Sequence, residues 1–303
     1  MGHGYTYQAA LAASERVNWR VEDLIGGGKR LDFGRPFMPD ALARTERLTT
    51  LGAAERRALN QIRGFEYLSL FGLVEEFILP FVLDHVRPHL GGDPLRARAY
   101  LQFATEEAKH IDLFRRFREE FELGFGTSVS VIGPPEAIAR DVLAHHPLAV
   151  ALVILHLEWM TQRHYLDSIA DDQGLDPQFK SLLKHHWMEE AQHAKLDTLM
   201  VEALAEGRAG EEIDRAVDEY LEVGRFFDNG LAQQAELVVE ALGRATGGPF
   251  DEGERAALVA AQHQSARYTY LGSGMTHPRF LGTVERLRPG ARARLEAVAP
   301  AFC

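Results

Sequence analysis

Residues 75–110 read EEFILPFVLDHVRPHLGGDPLRARAYLQFATEEAKH, and residues 158–193 read EWMTQRHYLDSIADDQGLDPQFKSLLKHHWMEEAQH. The two segments align without a gap at an offset of 83, with ten identities in 36 positions. Glu75 pairs with Glu158, Asp93-Pro94 with Asp176-Pro177, and Glu106-Glu107-Ala108-x-His110 with Glu189-Glu190-Ala191-x-His193. Asp followed by Pro is an N-cap and a first helical position, so each segment reads as a helix, a turn and a second helix. Glu75 and Glu107 stand about equally far from their turn, roughly 20 Å at ~1.5 Å rise per residue. The same count holds for Glu158 and Glu190. Packing the two hairpins together therefore brings four glutamates to one height in a four-helix bundle.

Outward from the repeat, apolar residues recur at helical spacing from about Ala53, through Leu59, Ile62, Tyr67, Leu70, Phe71, Val74, Phe77 and Ile78, with Pro80 as a possible kink. Further helices are expected over 94–123, 135–144, 147–169, 177–206, 209–243, 251–271 and 278–297, the last capped by Thr276. Period-two alternation long enough for a sheet is lacking, so the fold class is all-α: a ferritin-like bundle with an extra N-terminal segment and C-terminal helices. The organisation expected is an irregular wrapping segment at 1–52, the duplicated bundle at 53–207, and additional helices at 208–303 on the same domain.

Composition narrows the partners. The net charge of −11 in 303 residues disfavours nucleic acid and a polybasic membrane anchor. The apolar run from Pro147 to Met160 is too short to span a bilayer and contains His156 and Glu158, so it reads as a buried helix rather than a membrane segment. Cys303 is the only cysteine, which excludes an intrachain disulfide and a cysteine-ligated metal. The first residues carry no basic flank before an apolar run, and a cytoplasmic location is expected. An apolar face on the C-terminal helices, and with it a homodimer, is a further expectation.

The chemistry lies in Glu-x-x-His. Residues three apart share a helix face, so Glu107 with His110, and Glu190 with His193, aim a carboxylate and an imidazole together. With Glu75 and Glu158 from the preceding helices they form the arrangement typical of di-iron and di-manganese carboxylate bundles. One such motif alone is weak; two inside the same doublet, each with an upstream glutamate, are specific. Glu76 competes with Glu75 for the first-helix position. Glu106 and Glu189 are either solvated or acceptors for the histidine of the opposite hairpin. His186 lies on the stripe of Glu190 and His193, and its counterpart in the repeat is Phe103, so it reads as a third histidine ligand or a core histidine. His185 is expected to point elsewhere, and His145-His146 to sit in a loop or helix start. Asp197 is placed near the site or in water, and Tyr165 close to the metals.

The pattern Glu75, Glu107-x-x-His110, Glu158, His186-x-x-x-Glu190-x-x-His193 resembles the p-aminobenzoate N-oxygenase family of the ferritin-like di-iron superfamily, over residues 75–193. The resemblance implies two iron ions, with manganese as an alternative, held by these seven residues. It also implies O₂ as co-substrate, an electron donor and a small organic substrate that is oxygenated. Acyl-chain desaturases, the ribonucleotide reductase small subunit and ferroxidases share parts of the pattern. Desaturases lack the third histidine, and storage subunits lack the roughly 180 residues that flank this core.

Overall fold

The computed structural model describes residues 3–248 and 250–303, so Met1, Gly2 and Pro249 of the segments above lie outside it. The chain forms α1 (Tyr7–Ser14), α2 (Val21–Leu24), α3 (Asp40–Ala43), α4 (Ala53–Val86), α5 (Pro94–Phe125), α6 (Pro135–Leu143), α7 (Pro147–His164), α8 (Pro177–Ala205), α9 (Gly210–Thr246), α10 (Glu252–Arg267), α11 (Ser273–Met275), α12 (Pro278–Leu287) and α13 (Ala291–Val298). Among the described residues there is no strand, only an isolated bridge between Gly26 and Lys29. No helix is long and apolar enough to cross a membrane, among the same residues.

The four-helix bundle consists of α4, α5, α7 and α8: α4 packs on α5, α7 on α8, and α5 on α8. Both second helices open as their sequence dictates. Asp93 accepts from the Arg96 amide at 3.0 Å, and Asp176 from the Phe179 amide at 2.6 Å, each ahead of its proline. Pro80 sits on the exposed side of α4 and does not end it, because the flanking Phe77, Ile78 and Val82 are anchored in the core. Helix α7 is buried along almost its whole length, as its largely apolar sequence requires, and α9 lies across both α4 and α7. His156 pins that layer. Its Nδ1 accepts from the Tyr220 hydroxyl at 2.7 Å, and its Nε2 donates to the Tyr270 carbonyl at 3.1 Å.

Several details depart from the sequence reading. The N-terminal segment is not wholly irregular, since it carries three short helices and is fastened to the bundle by side chains. Asn60 on α4 accepts from the Phe37 and Met38 amides and donates to the Met38 carbonyl, while Asp176 accepts from the Asp32 amide at 3.0 Å. Gly26, Gly27 and Gly28 all have positive φ (94°, 58° and 93°), a backbone turn that glycine adopts without steric cost. The helix expected over 147–169 passes into a π-helical turn at Tyr165–Ile169, and that over 251–271 into another at Tyr268–Gly272. The helix expected over 278–297 is broken by Pro289-Gly290 into α12 and α13. Its cap is His277, whose Nδ1 accepts from the Arg279 amide, rather than Thr276, which donates to the Gly272 carbonyl. The C-terminal helices show no broad apolar face: Phe226 is their one exposed large apolar residue among those described, the others lying on the two hairpins.

Candidate metal centre

Each hairpin sends side chains to the bundle axis from heights set by its turn. Glu75, Glu107, His110, Glu158, His186, Glu190 and His193 are all at least 97% buried. Their donor atoms form two overlapping groups, Glu75, His110, His186 and Glu190, and Glu107, His110, Glu190 and His193, each with its atoms within 4.8 Å of one another. Glu190 and His110 belong to both. Glu190 Oε1 lies 3.2 Å from His110 Nδ1 and 2.6 Å from His186 Nε2, and its Oε2 lies 2.9 Å from His193 Nδ1. Glu107 Oε1 comes within 2.8 Å of His193 Nδ1, and Glu75 Oε1 within 3.5 Å of His186 Nε2.

Glu158 stands outside both groups. Burial pushes its carboxyl well above the usual range, and the Glu190 carboxylate beside it pushes the same way. Two carboxyl groups this close share a proton rather than ionise together, and a cation between them would take the proton's place. Burial opposes charge on His110 and His193 too. It is outweighed by the neighbouring carboxylates of Glu189, Glu190 and Glu75 at the first, and of Glu190 and Glu106 at the second, so both imidazoles are held well above their ordinary range.

The outward nitrogens of these histidines explain the other half of each doublet. His110 Nε2 lies 2.9 Å from Glu189 Oε2, and His193 Nε2 lies 2.7 Å from Glu106 Oε2. Each histidine is thus gripped by the doublet glutamate of the opposite hairpin, which fixes the ring and turns Nδ1 inward. Lys109 pairs with Glu189 and lies 3.9 Å from the centroid of the Trp19 ring, while Ser14 and Gln102 donate to Glu106.

Glu76 is exposed on the far side of α4, so Glu75 is the residue that enters the axis. His186 faces inward, its ring edge-on to Phe71 at 5.3 Å and to Phe114 at 4.9 Å. His185 turns away and bonds the Ser181 carbonyl, and His146 caps α7. Asp197 is buried, joins neither donor group and has no hydrogen-bond partner among the described residues. Tyr165 stacks on Trp187 at 4.3 Å and opens the π-helical turn that follows α7.

Whether these residues suit a metal pair is decided by their unsatisfied atoms. Buried polar groups are nearly always hydrogen-bonded. Here Glu75 Oε2, both Glu107 oxygens, Glu158 Oε2, His110 Nδ1 and His186 Nε2 have no hydrogen-bond partner among the described residues, and all belong to the expected ligand set. Carboxylate and imidazole donors without thiolate suit iron or manganese, and four carboxylates balance two divalent charges. A cavity of about 460 Å³ is walled by Leu70, Leu73 and Val74 of α4, Leu157 of α7, Phe227 of α9 and Tyr270. Val74 and Leu157 directly precede Glu75 and Glu158, which relates the cavity to the centre through the two helices that carry the first-helix glutamates.

The sequence reading did not find the roles of Ser14, Trp19 and Lys109, nor the cavity. Ser14 and Trp19 lie in a segment with no repeat counterpart, and only the tertiary wrap brings them to the doublets.

Comparison with known proteins adds a likeness in shape. No protein-family model matches the chain, and no curated protein matches it. Among solved structures it is similar to a variant of an R2-like ligand-binding oxidase with an aerobically reconstituted Mn/Fe cofactor, at 14% identity and a TM-score of 0.45, covering 88% of this chain and 93% of that one. A second variant of that oxidase, with an Fe/Fe cofactor, matches at 14% identity and a TM-score of 0.41, covering 87% and 96%.

Proposed function

We propose that the chain is an oxygen-activating oxidoreductase that holds a pair of iron ions, or one iron and one manganese, and oxidises a small apolar organic substrate. The observation that carries this reading is the pair of donor groups sharing His110 and Glu190, with their unsatisfied buried atoms. Glu75, Glu107, His110, Glu158, His186, Glu190 and His193 are its ligands, within a bundle unit at 53–207. When bound, such a pair supplies electrons to O₂.

The protein's own part is positioning and exclusion. Glu106 and Glu189 hold the two doublet histidines with Nδ1 inward, and Lys109 and Ser14 hold those glutamates in turn. His186 adds a donor without adding negative charge. Phe71, Phe103 and Phe114 pack on the histidine rings and keep water from the axis. The apolar cavity supplies a place for substrate, its size within the range of small-molecule pockets. Arylamine N-oxygenation is the finer form of the proposal, supported by the ligand pattern with its third histidine. An external donor returns the electrons, and the setting proposed is the cytoplasm.

The test is oxygen uptake by the Fe(II)-loaded protein against a panel of arylamines and other small aromatic compounds. Uptake that depends on one of them, with oxygen found in the product, is the expected result. Iron uptake far beyond two ions per chain, with no organic product, would instead mark an iron-handling protein.

A further inference from the structure

The cavity has a buried end and an exposed end. Leu70 and Leu73 of α4 and Leu157 of α7 form the buried end, on the two helices that carry Glu75 and Glu158. Phe226, Asn229 and Gln233 of α9 are exposed and mark the other, where Val131 and Ile132 complete the wall. Phe226, Asn229, Gly230, Gln233 and Leu237 fall on one stripe of α9, being three, four, seven and eleven residues along from the first. Gly230 lies within that stripe, and a Cβ there would come within 3.2 Å of Ile132 Cδ1, so residues 130–132 pass close over the helix. Gln234, fully buried, fastens them: its Oε1 accepts from the Ile132 amide at 2.9 Å, and its Nε2 donates to the Ser130 carbonyl at 3.3 Å.

The chemistry of this wall is one-sided. None of its sixteen residues carries a charge, and its polar side chains are Asn229, Gln233 and Tyr270, whose hydroxyl is itself buried. Ionisable neighbours on α9 are held elsewhere, Asp228 by Arg267 and His263, and Glu236 by Arg255. Two residues from Val74 and Ile138 stand Glu76 and Glu136, outside the wall. Burial and the Glu136 carboxylate push the Glu76 carboxyl up, against the pull of Arg118. An anion in the cavity would therefore lose its water and gain no cation. The amides of Asn229 and Gln233, by contrast, each offer a donor and an acceptor, and no other described residue engages them.

We infer that the cavity selects an uncharged arylamine, its ring and amine in the buried end and a neutral hydrogen-bonding group at the rim, read by Asn229 and Gln233. Arylamines that end in a carboxylate are excluded by the same wall. This deepens the function proposed above and rests on it for the reaction, whereas the choice between neutral and anionic ligands rests on the wall alone. Asn229 and Gln233 are thus specificity-determining residues, one turn apart on the outer end of the stripe. Gly230 keeps the space between them and Ile132 open for the ring.

The test is equilibrium binding of p-aminobenzamide and p-aminobenzoate, nearly equal in shape and different in charge, to the full chain at neutral pH. Calorimetry is run on anaerobic Fe(II)-loaded protein and on metal-free protein, with metal content measured on both. The amide should bind at least about a hundredfold more tightly than the carboxylate in each form. Gln233→Arg, an exposed change, should raise the affinity for p-aminobenzoate about tenfold or more, by placing a cation at the rim. Gly230→Leu should weaken binding of the amide at unchanged metal content and unfolding midpoint. Equal affinities for the two compounds, binding of neither, or a Gln233→Arg protein that still rejects the carboxylate would each overturn the assignment. A chain that takes up no metal yet prefers the amide would bring down the dimetal reading and leave the cavity's selectivity standing.

Discussion

The two hairpins of the bundle carry the same doublet, yet they differ at the inward position one turn before it. Phe103 of α5 stacks on His193 at 4.1 Å, whereas its counterpart His186 of α8 stands edge-on to His110 at 4.6 Å. One ring only packs; the other packs and brings a nitrogen within 2.6 Å of Glu190. What the hairpins share is the fold and the crossed grip of Glu106 on His193 and Glu189 on His110. What they do not share gives the donor group that contains Glu75 a second histidine, so that each group holds two glutamates and two histidines. The repeat builds the cradle, and the histidine at this position completes one of its two donor groups.

The largest effect is expected where the hairpins meet. Glu190→Ala removes the carboxylate common to both donor groups and should abolish uptake of both metals, measured by elemental analysis; retention of one metal would show that the two groups are more independent than their geometry. Next come the crossed glutamates. Glu106→Ala and Glu189→Ala should each weaken metal binding about 10- to 100-fold. Similar losses would support an equal role for the two grips, and a loss confined to one would break the symmetry. His186→Phe restores the first hairpin's residue at that position. It should weaken one metal selectively and alter the visible spectrum of the loaded protein, while metal-free thermal stability stays nearly unchanged. Equal weakening of both metals would make His186 a general packing residue.

A smaller effect concerns protons. The metal-free protein holds His110 and His193 protonated to unusually high pH, and Glu158 protonated beside Glu190. A metal must displace those protons, so its affinity should rise as pH increases through neutrality, and protons should be released on binding. Titration calorimetry in buffers of different ionisation heat measures that release; an affinity flat with pH would mean that the histidines are already neutral.

The bundle was readable because its signals are local and repeated. The caps Asp93-Pro94 and Asp176-Pro177 set where the second helices begin, and equal counts from the turns set the level of the glutamates. Choosing Glu75 over Glu76 was a matter of register, which the gapless repeat favoured and the exposure of Glu76 accords with. Asp197 and Tyr165 were harder, because both are buried and nothing local in the sequence marks which neighbours they meet. The packing of α11 was not legible at all. A Cβ on Gly274 would collide with the His156 ring, so that crossing requires glycine, and nothing local in the sequence announces it. Gly274→Ala should lower stability by about 1–3 kcal/mol through overpacking, measured by denaturant unfolding.

The most direct test is metal stoichiometry combined with anomalous scattering from crystals of the loaded protein. Two metal ions per chain, both between α4, α5, α7 and α8 and in contact with Glu107, His110, Glu190 and His193, are expected. A chain that binds none under anaerobic Fe(II) or Mn(II) loading, or binds them away from these residues, would contradict the account at its root.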